Sequence, residues 1–236
     1  MLTAETTVEL VGTAARHIAQ VLRMSAGDPV ILFDGSGDEF AGTIQTAAKT
    51  RVTVTLAAAR TPASESRLKV SLWHGLCRSS RMDNVVQKAT ELGVAEIQPV
   101  LTEYGVVRLD SQRGIKKVAH WQNVAISACE QSGRVLIPAI NEPRKLTECL
   151  TGFQNNGSAI AIMCDPEGKP GINQQLNSGQ DVILLTGPEG GFSQSEKEAA
   201  VAAGFKLISL GPRILRTETA PITALSLIQH LAGDLG

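Results

Sequence analysis

Two short segments near the C-terminal end of this chain combine glycines with residues that could bind a ligand. The first, residues 184–193, reads Leu-Leu-Thr-Gly-Pro-Glu-Gly-Gly-Phe-Ser. Three glycines and a proline within five positions predict a rigid turn whose backbone amides and carbonyls can reach a ligand without side chains in the way. The segment does not match the dinucleotide fingerprint G-x-G-x-x-G and lacks the lysine of a P-loop. A ligand-binding loop and an ordinary tight turn both fit these residues.

The second segment, residues 210–220, reads Leu-Gly-Pro-Arg-Ile-Leu-Arg-Thr-Glu-Thr-Ala. It places two arginines, two threonines and a glutamate between apolar flanks, which is more polar chemistry than simple solvation of a turn requires. The cluster therefore indicates a binding or catalytic loop. The alternative is a surface ion pair between Arg216 and Glu218 beside a helix cap.

Each segment lies between a predicted strand and a predicted helix. Apolar runs at 182–185 and 205–210 predict the strands, and Ser193 with Glu196 forms a capping box that opens the helix ended by Gly204. Pro221 suits the first turn of a last helix, 222–231, which is apolar around most of its circumference and should be buried or paired with another subunit. Because ligands bind at the carboxyl ends of strands in open α/β sheets, both segments are candidate site loops.

The rest of the chain predicts two domains. Strands at 30–33, 40–45 and 51–56 form a small β-rich unit, and residues 58–67 lose this periodicity as a linker would. Further strands at 68–72, 96–101 and 159–163 then alternate with helices at 82–92 and 115–129, which predicts a mostly parallel sheet covered by helices. The predicted domains are residues 1–62 and 68–236.

Composition narrows the class of protein only slightly. The 236 residues carry 22 basic and 23 acidic side chains, so no global charge marks a nucleic-acid binder, although folding can still gather a basic patch. The four cysteines are widely spaced and form no C-x-x-C pair, so we expect no metal site. Without an 18-residue apolar run or a basic leader, we expect no membrane association and a cytoplasmic location.

Together, G-P-E-G-G-F-S and L-G-P-R-I-L-R-T-E-T-A closely resemble the RsmE family of ribosomal RNA methyltransferases in the knotted SPOUT superfamily. Members of that family methylate N3 of a uridine in small-subunit ribosomal RNA. The resemblance extends over most of the chain: the segments 81–83 and 87–93 are similar to the family's central helix, and 130–134 to its next block. Residues 17–23 with 27–28 are similar to its N-terminal RNA-binding domain.

The resemblance implies a SPOUT-type α/β trefoil-knot domain with a parallel sheet, preceded by a small PUA-like β-barrel domain. Periodicity does not predict a knot, and knots are rare. The implied cofactor is S-adenosylmethionine, enclosed mainly by backbone atoms and apolar walls of the two loops. The implied cofactor-binding residues are Leu185, Thr186, Gly187, Gly190, Leu210, Gly211, Ile214, Leu215 and Arg216.

The resemblance also implies roles in the reaction. A uridine N3 exposes its lone pair only when its proton leaves, so Arg216 is expected to stabilise the charge on the flanking oxygens. Glu218 or Glu189 could accept the proton or orient Arg216, and each could equally be a helix-terminal or structural acid. The expected partners are 16S rRNA within the small ribosomal subunit and a second copy of this chain. The residues expected to contact RNA are Arg16, His17, Arg23, Arg78 and Arg81.

Three other interpretations remain open at the level of sequence. A SPOUT methyltransferase of another rRNA or tRNA nucleotide would carry the same loops, because a fold does not fix a substrate. A non-catalytic RNA-binding protein of ribosome assembly would keep the two domains but would not need the intact loops. A small-molecule nucleotide binder would leave the N-terminal β domain without a role.

Overall fold

The computed structural model describes residues 1–106, 111–153, 157, 159–176 and 179–236, and the side chains of 111–113 lie outside this description. The chain divides into two compact units, Met1–Glu65 and Ser66–Gly236. Among the described residues, no helix has both the length and the apolar composition that a bilayer crossing would need.

The N-terminal unit is an antiparallel sheet of four strands in the order β1-β4-β3-β2. The strands are β1 (Thr7–Val11), β2 (Pro29–Phe33), β3 (Glu39–Ala48) and β4 (Arg51–Arg60). Helix α1 (Gly12–Arg16) continues into a π-helical turn, His17–Val21, and packs Ala15 and Ile18 onto the sheet core with Ile44 and Val54. The Leu2 N–H donates to Asp34 Oδ2 at 2.7 Å, which brings the start of the chain to the end of the opposite edge strand.

Three of these strands are confirmed, and one was missed. Strand β1 is a short edge strand whose residues are nowhere fully buried, so its alternation is a weak signal. Strand β4 also runs further than predicted, through three consecutive alanines that carry no alternation, and after a register shift Ala59 and Arg60 still pair with β3. Part of the predicted linker is therefore strand.

The C-terminal unit is built on a parallel sheet in the order β11-β9-β10-β5-β6-β7, with β8 also paired to β6. Its strands are β5 (Val70–Gly75), β6 (Glu96–Leu101), β7 (Ala139–Ile140), β8 (Arg144–Lys145), β9 (Ala159–Pro170), β10 (Asp181–Thr186) and β11 (Lys206–Ser209). Nearly every residue of β5 is buried, as expected for a strand covered on both faces. The predicted parallel α/β fold class, with a β unit before it, is confirmed.

Helices cover the sheet and define a core on each face. They are α2 (Ser79–Glu91), α3 (Ser111–Ser132), α4 (Leu146–Gly152), α5 (Gln194–Ala202) and α6 (Thr219–Ala232). Leu72 packs with α2 and α6, while its neighbour Trp73 turns to the other face and contacts Phe153 and Phe205 at centroid distances of 5.7 and 5.6 Å. The capping box of α5 is confirmed, since Ser193 N–H donates to Glu196 Oε2 at 2.9 Å and Ser193 Oγ accepts from Glu196 N–H.

The strand order controls the path of the chain near its end. Strand β9 lies between β10 and β11, so β11 is at the edge of the sheet. Helix α6 nevertheless packs on α2 and β10. Residues 210–218 must therefore return across the carboxyl end of β9.

The close approach of β9 and β11 yields a test of this topology. A Cβ on Gly168 would lie 2.6 Å from both the backbone N and C of Ile208, where β9 and β11 shift register. We expect Gly168→Ala to lower the free energy of unfolding by about 1–3 kcal/mol, measured by urea denaturation. Gly152→Ala, which would place a Cβ in open space, is the control and should unfold close to wild type. Equal midpoints for all three proteins would contradict this strand pairing.

Candidate active site

A cavity of about 510 Å³ lies where β10 and β11 end, beside the middle of β9. Its volume is within the roughly 300–1,000 Å³ typical of small-molecule sites. The pairing of β9 with β10 ends at Met163, and β9 forms one wall of the cavity just beyond that residue. The lining residues are Arg81, Cys164, Asp165, Pro166, Gly187, Pro188, Glu189, Gly191, Phe192, Leu210, Gly211, Arg213, Ile214, Leu215, Arg216, Thr217 and Ala220.

Both candidate loops border this cavity, but not every predicted cofactor residue faces it. Those that line it are Gly187, Leu210, Gly211, Ile214, Leu215 and Arg216. Leu185, Thr186 and Gly190 are not among the lining residues. Leu185 is buried in the core, and Thr186 Oγ1 hydrogen-bonds His74 Nδ1 at 2.8 Å. Leu185 and Thr186 therefore support the loop from the core, whereas the exposed Gly190 packs against Tyr104.

The first loop is held by close backbone packing. A Cβ on Gly75 would lie 2.3 Å from Pro188 Cδ, so β5 and the loop touch with no room for a side chain. A Cβ on Gly190 would lie 2.8 Å from the Tyr104 carbonyl oxygen, so the opposite side of the loop is packed as tightly. The glycines thus serve close packing as well as access to a ligand.

A side chain of the second loop hydrogen-bonds the backbone of the first loop. Thr217 Oγ1 donates a hydrogen bond to the Gly187 carbonyl at 2.8 Å, and Thr217 is buried. The neighbouring Ile214 is 84% exposed and Arg216 is exposed, and both line the cavity. Within the described part of the chain, Arg216 has no ion pair with a carboxylate, so its guanidinium is available to a ligand.

Arg81, expected among the RNA-contacting residues, lies in the cavity wall between two carboxylates. Its Nη1 is 2.9 Å from Glu189 Oε1, and its Nε is 3.8 Å from Glu218 Oε2. The alternative of an ion pair between Arg216 and Glu218 is therefore wrong, because the described partner of Glu218 is Arg81. The error has a simple cause: residues two apart in sequence suggested a pair, while the fold brought in a residue from α2.

The ionisable groups around the cavity differ in the direction in which their pKa values are shifted. Burial lowers the pKa of His74 to about 4, and burial together with Glu189 and Glu218 raises the pKa of Cys77 to about 12, so both are neutral near pH 7. Partial burial raises the pKa of Glu189, but backbone N–H groups of Glu189 and Arg78 and the Arg81 guanidinium outweigh it, leaving that pKa below its usual value. Glu189 is thus a stabilised carboxylate.

The other residues expected to contact RNA lie away from these loops in the sequence. Arg16 is exposed, and its Nε donates to the Gly12 carbonyl at 3.4 Å. His17 begins the π-helical turn, and Arg23 adopts a left-handed backbone with φ of 56°. Arg78 is exposed at the N-terminus of α2. The described residues contain no cluster of three or more His, Cys, Asp or Glu side chains placed to hold a metal.

Sequence reasoning missed the contribution of β9. Cys164, Asp165 and Pro166 line the cavity directly after the predicted strand 159–163. Applying the carboxyl-end rule to that strand as well would have found them. The contact of Arg81 with the loops had no such local signal.

Comparison with known proteins links both units to RNA modification. Residues 64–229 match a family model described as an RNA methyltransferase domain, and residues 12–57 match one described as an RNA methyltransferase PUA domain. A ribosomal RNA small subunit methyltransferase E from Bacillus subtilis is 31% identical, over 97% of this chain and 93% of that protein. The protein of the same name from Buchnera aphidicola subsp. Schizaphis graminum is 34% identical, over 97% and 92%.

Solved structures agree over the full length. A ribosomal RNA small subunit methyltransferase E from Neisseria gonorrhoeae, bound to S-adenosyl methionine, has a TM-score of 0.92 and 34% identity, covering 100% of this chain and 96% of that one. A Legionella pneumophila protein in complex with the bound cofactor SAM has a TM-score of 0.94 and 38% identity with the same coverage.

The buried His74 predicts how stability depends on pH. Its pKa falls from 6.5 to about 4 on folding, so the unfolded chain takes up this proton first and stability is lost as pH falls from about 6.5 towards 4. The loss attributable to His74 should reach about 3 kcal/mol.

Urea unfolding at several pH values can isolate this contribution. In His74→Gln, a side chain that cannot titrate replaces the imidazole, so the fall in stability on acidification should be smaller than in wild type. The exposed His230 is the matched control, and His230→Gln should keep the wild-type pH dependence. Parallel curves for wild type and His74→Gln would contradict a buried neutral histidine.

Proposed function

Because this chain belongs to the ribosomal RNA small subunit methyltransferase E family, we propose that it methylates N3 of a specific uridine in 16S rRNA, with S-adenosylmethionine as methyl donor. It is a SPOUT-type α/β enzyme with an N-terminal PUA domain. The observation that carries the proposal is the cavity formed by both candidate loops at the carboxyl edge of the sheet. The return of residues 210–218 across the end of β9 supports the trefoil knot that the family resemblance implies.

The cavity suits S-adenosylmethionine in size and chemistry. Leu210, Ile214 and Leu215 offer apolar walls for an adenine, and Gly187 and Gly211 bring the backbone into the lining without a side chain. Asp165 is a buried carboxylate in the same lining and can accept hydrogen bonds from hydroxyl or ammonium groups. When bound, the cofactor supplies a methyl group on a positively charged sulfur, which is a good leaving group.

The residues of the chain have to make the uridine nucleophilic. Uridine N3 acquires a free lone pair when its proton is removed, and negative charge then spreads to the O2 and O4 oxygens. Arg216, exposed in the cavity lining without a carboxylate partner among the described residues, can stabilise that charge. Glu218 and Glu189, which flank Arg81, are the candidate proton acceptors.

The target base must be reachable, so we propose an unpaired or flipped uridine. The PUA domain would grip the RNA backbone through Arg16, His17 and Arg23, and Arg78 of the catalytic domain would make an RNA contact of its own. The assembled small subunit, in the cytoplasm, is the proposed substrate. The second candidate is methyl transfer to another rRNA or tRNA nucleotide, because the same cavity would serve that reaction. The names of the relatives favour rRNA over tRNA as the substrate.

We also propose a homodimer in which the N-terminal domain of one chain serves the site of the other. The sequence predicted that the final helix is buried or paired with another subunit. One face of α6 is buried, and another face is exposed and apolar. Ala224, Leu225 and Ile228 are buried, whereas Leu227 and Leu231, one turn apart, remain 37% and 45% exposed. An exposed leucine pair on an apolar helix is suited to a partner surface.

Removing the Arg216 guanidinium should abolish most turnover without unfolding the protein. For Arg216→Ala we expect kcat to fall by about 10²–10³-fold, because a donor to the developing oxyanion is lost. The assay is methylation of small subunits and of naked rRNA, with the site read by primer extension, since an N3 methyl blocks base pairing. The exposed Arg144, on β8, is the matched control, and Arg144→Ala should retain activity. Wild-type turnover in Arg216→Ala would exclude this role.

The dimer can be tested at its exposed leucines. Sedimentation of wild type should give twice the mass of one chain, and Leu227→Glu combined with Leu231→Glu should give a single chain, because charges would be buried at the interface. Val201→Glu is the control, since Val201 is 53% exposed on α5 and lies away from α6 in the fold. A monomeric wild type would disprove the homodimer.

A further inference from the structure

Asp165 is a buried carboxylate in the wall of the cavity, outside both candidate loops. We propose that Asp165 binds a cationic group in the methionine part of S-adenosylmethionine and gives the cavity its preference for a charged cofactor. This inference rests on the proposed function, and it names the residue that recognises the charge of the cofactor.

A bulge in β9 brings this carboxylate to the cavity. On one side of β9, the pairing with β10 ends at Met163. On the other side, the consecutive residues Leu207 and Ile208 of β11 pair with Met163 and Lys169. Residues 164–168 therefore have no partner in either neighbouring strand. A bulge of this kind re-aims side chains, and here its first residues line the cavity.

The two carboxylate oxygens of Asp165 have different surroundings. Oδ1 accepts the Glu167 N–H at 2.9 Å and lies 3.9 Å from Lys197 Nζ. Oδ2 accepts no hydrogen bond from the described residues, yet it is not enclosed, since the described buried oxygens without a partner belong to other residues. The side chain keeps 7% of its surface accessible, and Asp165 lines the cavity whereas Glu167 and Lys197 do not. Asp165 is thus anchored through Oδ1 and open to a ligand through Oδ2.

Lys197 stabilises the charge of Asp165 from outside the cavity. It extends from α5, its side chain is 13% exposed, and its Nζ donates to Glu167 Oε2 at 2.5 Å. Burying a carboxylate is costly unless it is paired or hydrogen-bonded, and these contacts offset that cost. Because Lys197 is shared with a second carboxylate and stays outside the lining, a ligand cation can still approach Asp165.

The other charges of the lining do not attract a cation. Glu189 is the second carboxylate there, and Arg81 of the same lining binds it at 2.9 Å. The remaining charged residues of the lining are Arg213 and Arg216, and among the described residues neither forms an ion pair with Asp165. A positive group of a ligand is therefore stabilised best beside Asp165.

Three ligands separate the groups that Asp165 could bind. S-adenosylmethionine carries an ammonium and a sulfonium, both in its methionine part. S-adenosylhomocysteine keeps the ammonium and has a neutral sulfur. 5′-Methylthioadenosine keeps the adenosine and the sulfur but has neither positive charge. Titration calorimetry with these three ligands therefore distinguishes the ammonium, the sulfonium and the adenosine as the bound group.

Asp165→Asn removes the charge and keeps an oxygen that can accept the Glu167 N–H. We expect the affinity for S-adenosylmethionine to fall by about 10–100-fold, as for a lost hydrogen bond to a charged group, and that for 5′-methylthioadenosine to stay near wild type. An equal fall for S-adenosylhomocysteine would assign the ammonium, and a fall confined to S-adenosylmethionine would assign the sulfonium. Either result supports the inference.

Glu198→Gln is the matched control. Glu198 is an exposed acid on the same helix as Lys197 and does not line the cavity, so its loss changes the net charge by the same amount. This variant should bind all three ligands as wild type does. Urea unfolding of Asp165→Asn shows whether the bulge keeps its structure.

Wild type provides a second test that does not depend on how the variant folds. It should bind S-adenosylmethionine at least about 10-fold more tightly than 5′-methylthioadenosine, and equal affinities would overturn the inference. Wild-type affinity for S-adenosylmethionine in Asp165→Asn, or equal losses for it and for 5′-methylthioadenosine, would overturn it as well.

Failure of the proposed function gives a different pattern. A wild type that binds S-adenosylmethionine but methylates no uridine N3 overturns the proposed reaction, while the affinities still decide the role of Asp165. A wild type that binds none of the three ligands overturns both.

Discussion

The position of β9 between β10 and β11 is the constraint on which the site depends. It places the middle of β9, beyond its pairing with β10, beside the carboxyl ends of β10 and β11, and all three chain segments line the cavity there. It also forces residues 210–218 back across β9, where Thr217 bonds the carbonyl of Gly187. Close approaches at Gly75 and Gly168 then leave the backbone no space to rearrange. Cavity shape therefore comes from strand order more than from side-chain choice.

Within this rigid frame, the polar groups are incompletely satisfied. A buried oxygen without a donor costs on the order of 1–3 kcal/mol, and Glu218 Oε2 is such an atom. Departures from polar satisfaction are expected where a protein binds or reacts with something else. Glu189, by contrast, accepts hydrogen bonds from the Arg81 side chain and from the Arg78 N–H at the start of α2.

Local sequence patterns predicted the elements better than the contacts between them. Strands with buried alternation, such as β4, and the capping box of α5 carry their signals within a few residues, and they were found. Strand β1 and helix α4 are short and half exposed, so the pattern was too weak to reveal them. The ion pair of Arg81 with Glu189 joins residues 108 positions apart, and no local periodicity encodes such a contact.

The geometry of the acids is set by helix packing. Arg81 and Glu218 lie at the N-terminal ends of α2 and α6, and Gln229 Nε2 near the other end of α6 donates to the Leu92 carbonyl after α2. The two helices therefore run in the same direction, with both positive dipole ends at the cavity. These ends favour negative charge nearby, and the apolar contact between the helices fixes how far Glu218 lies from Arg81. A change in the packing of α6 would thus alter the site from outside the cavity.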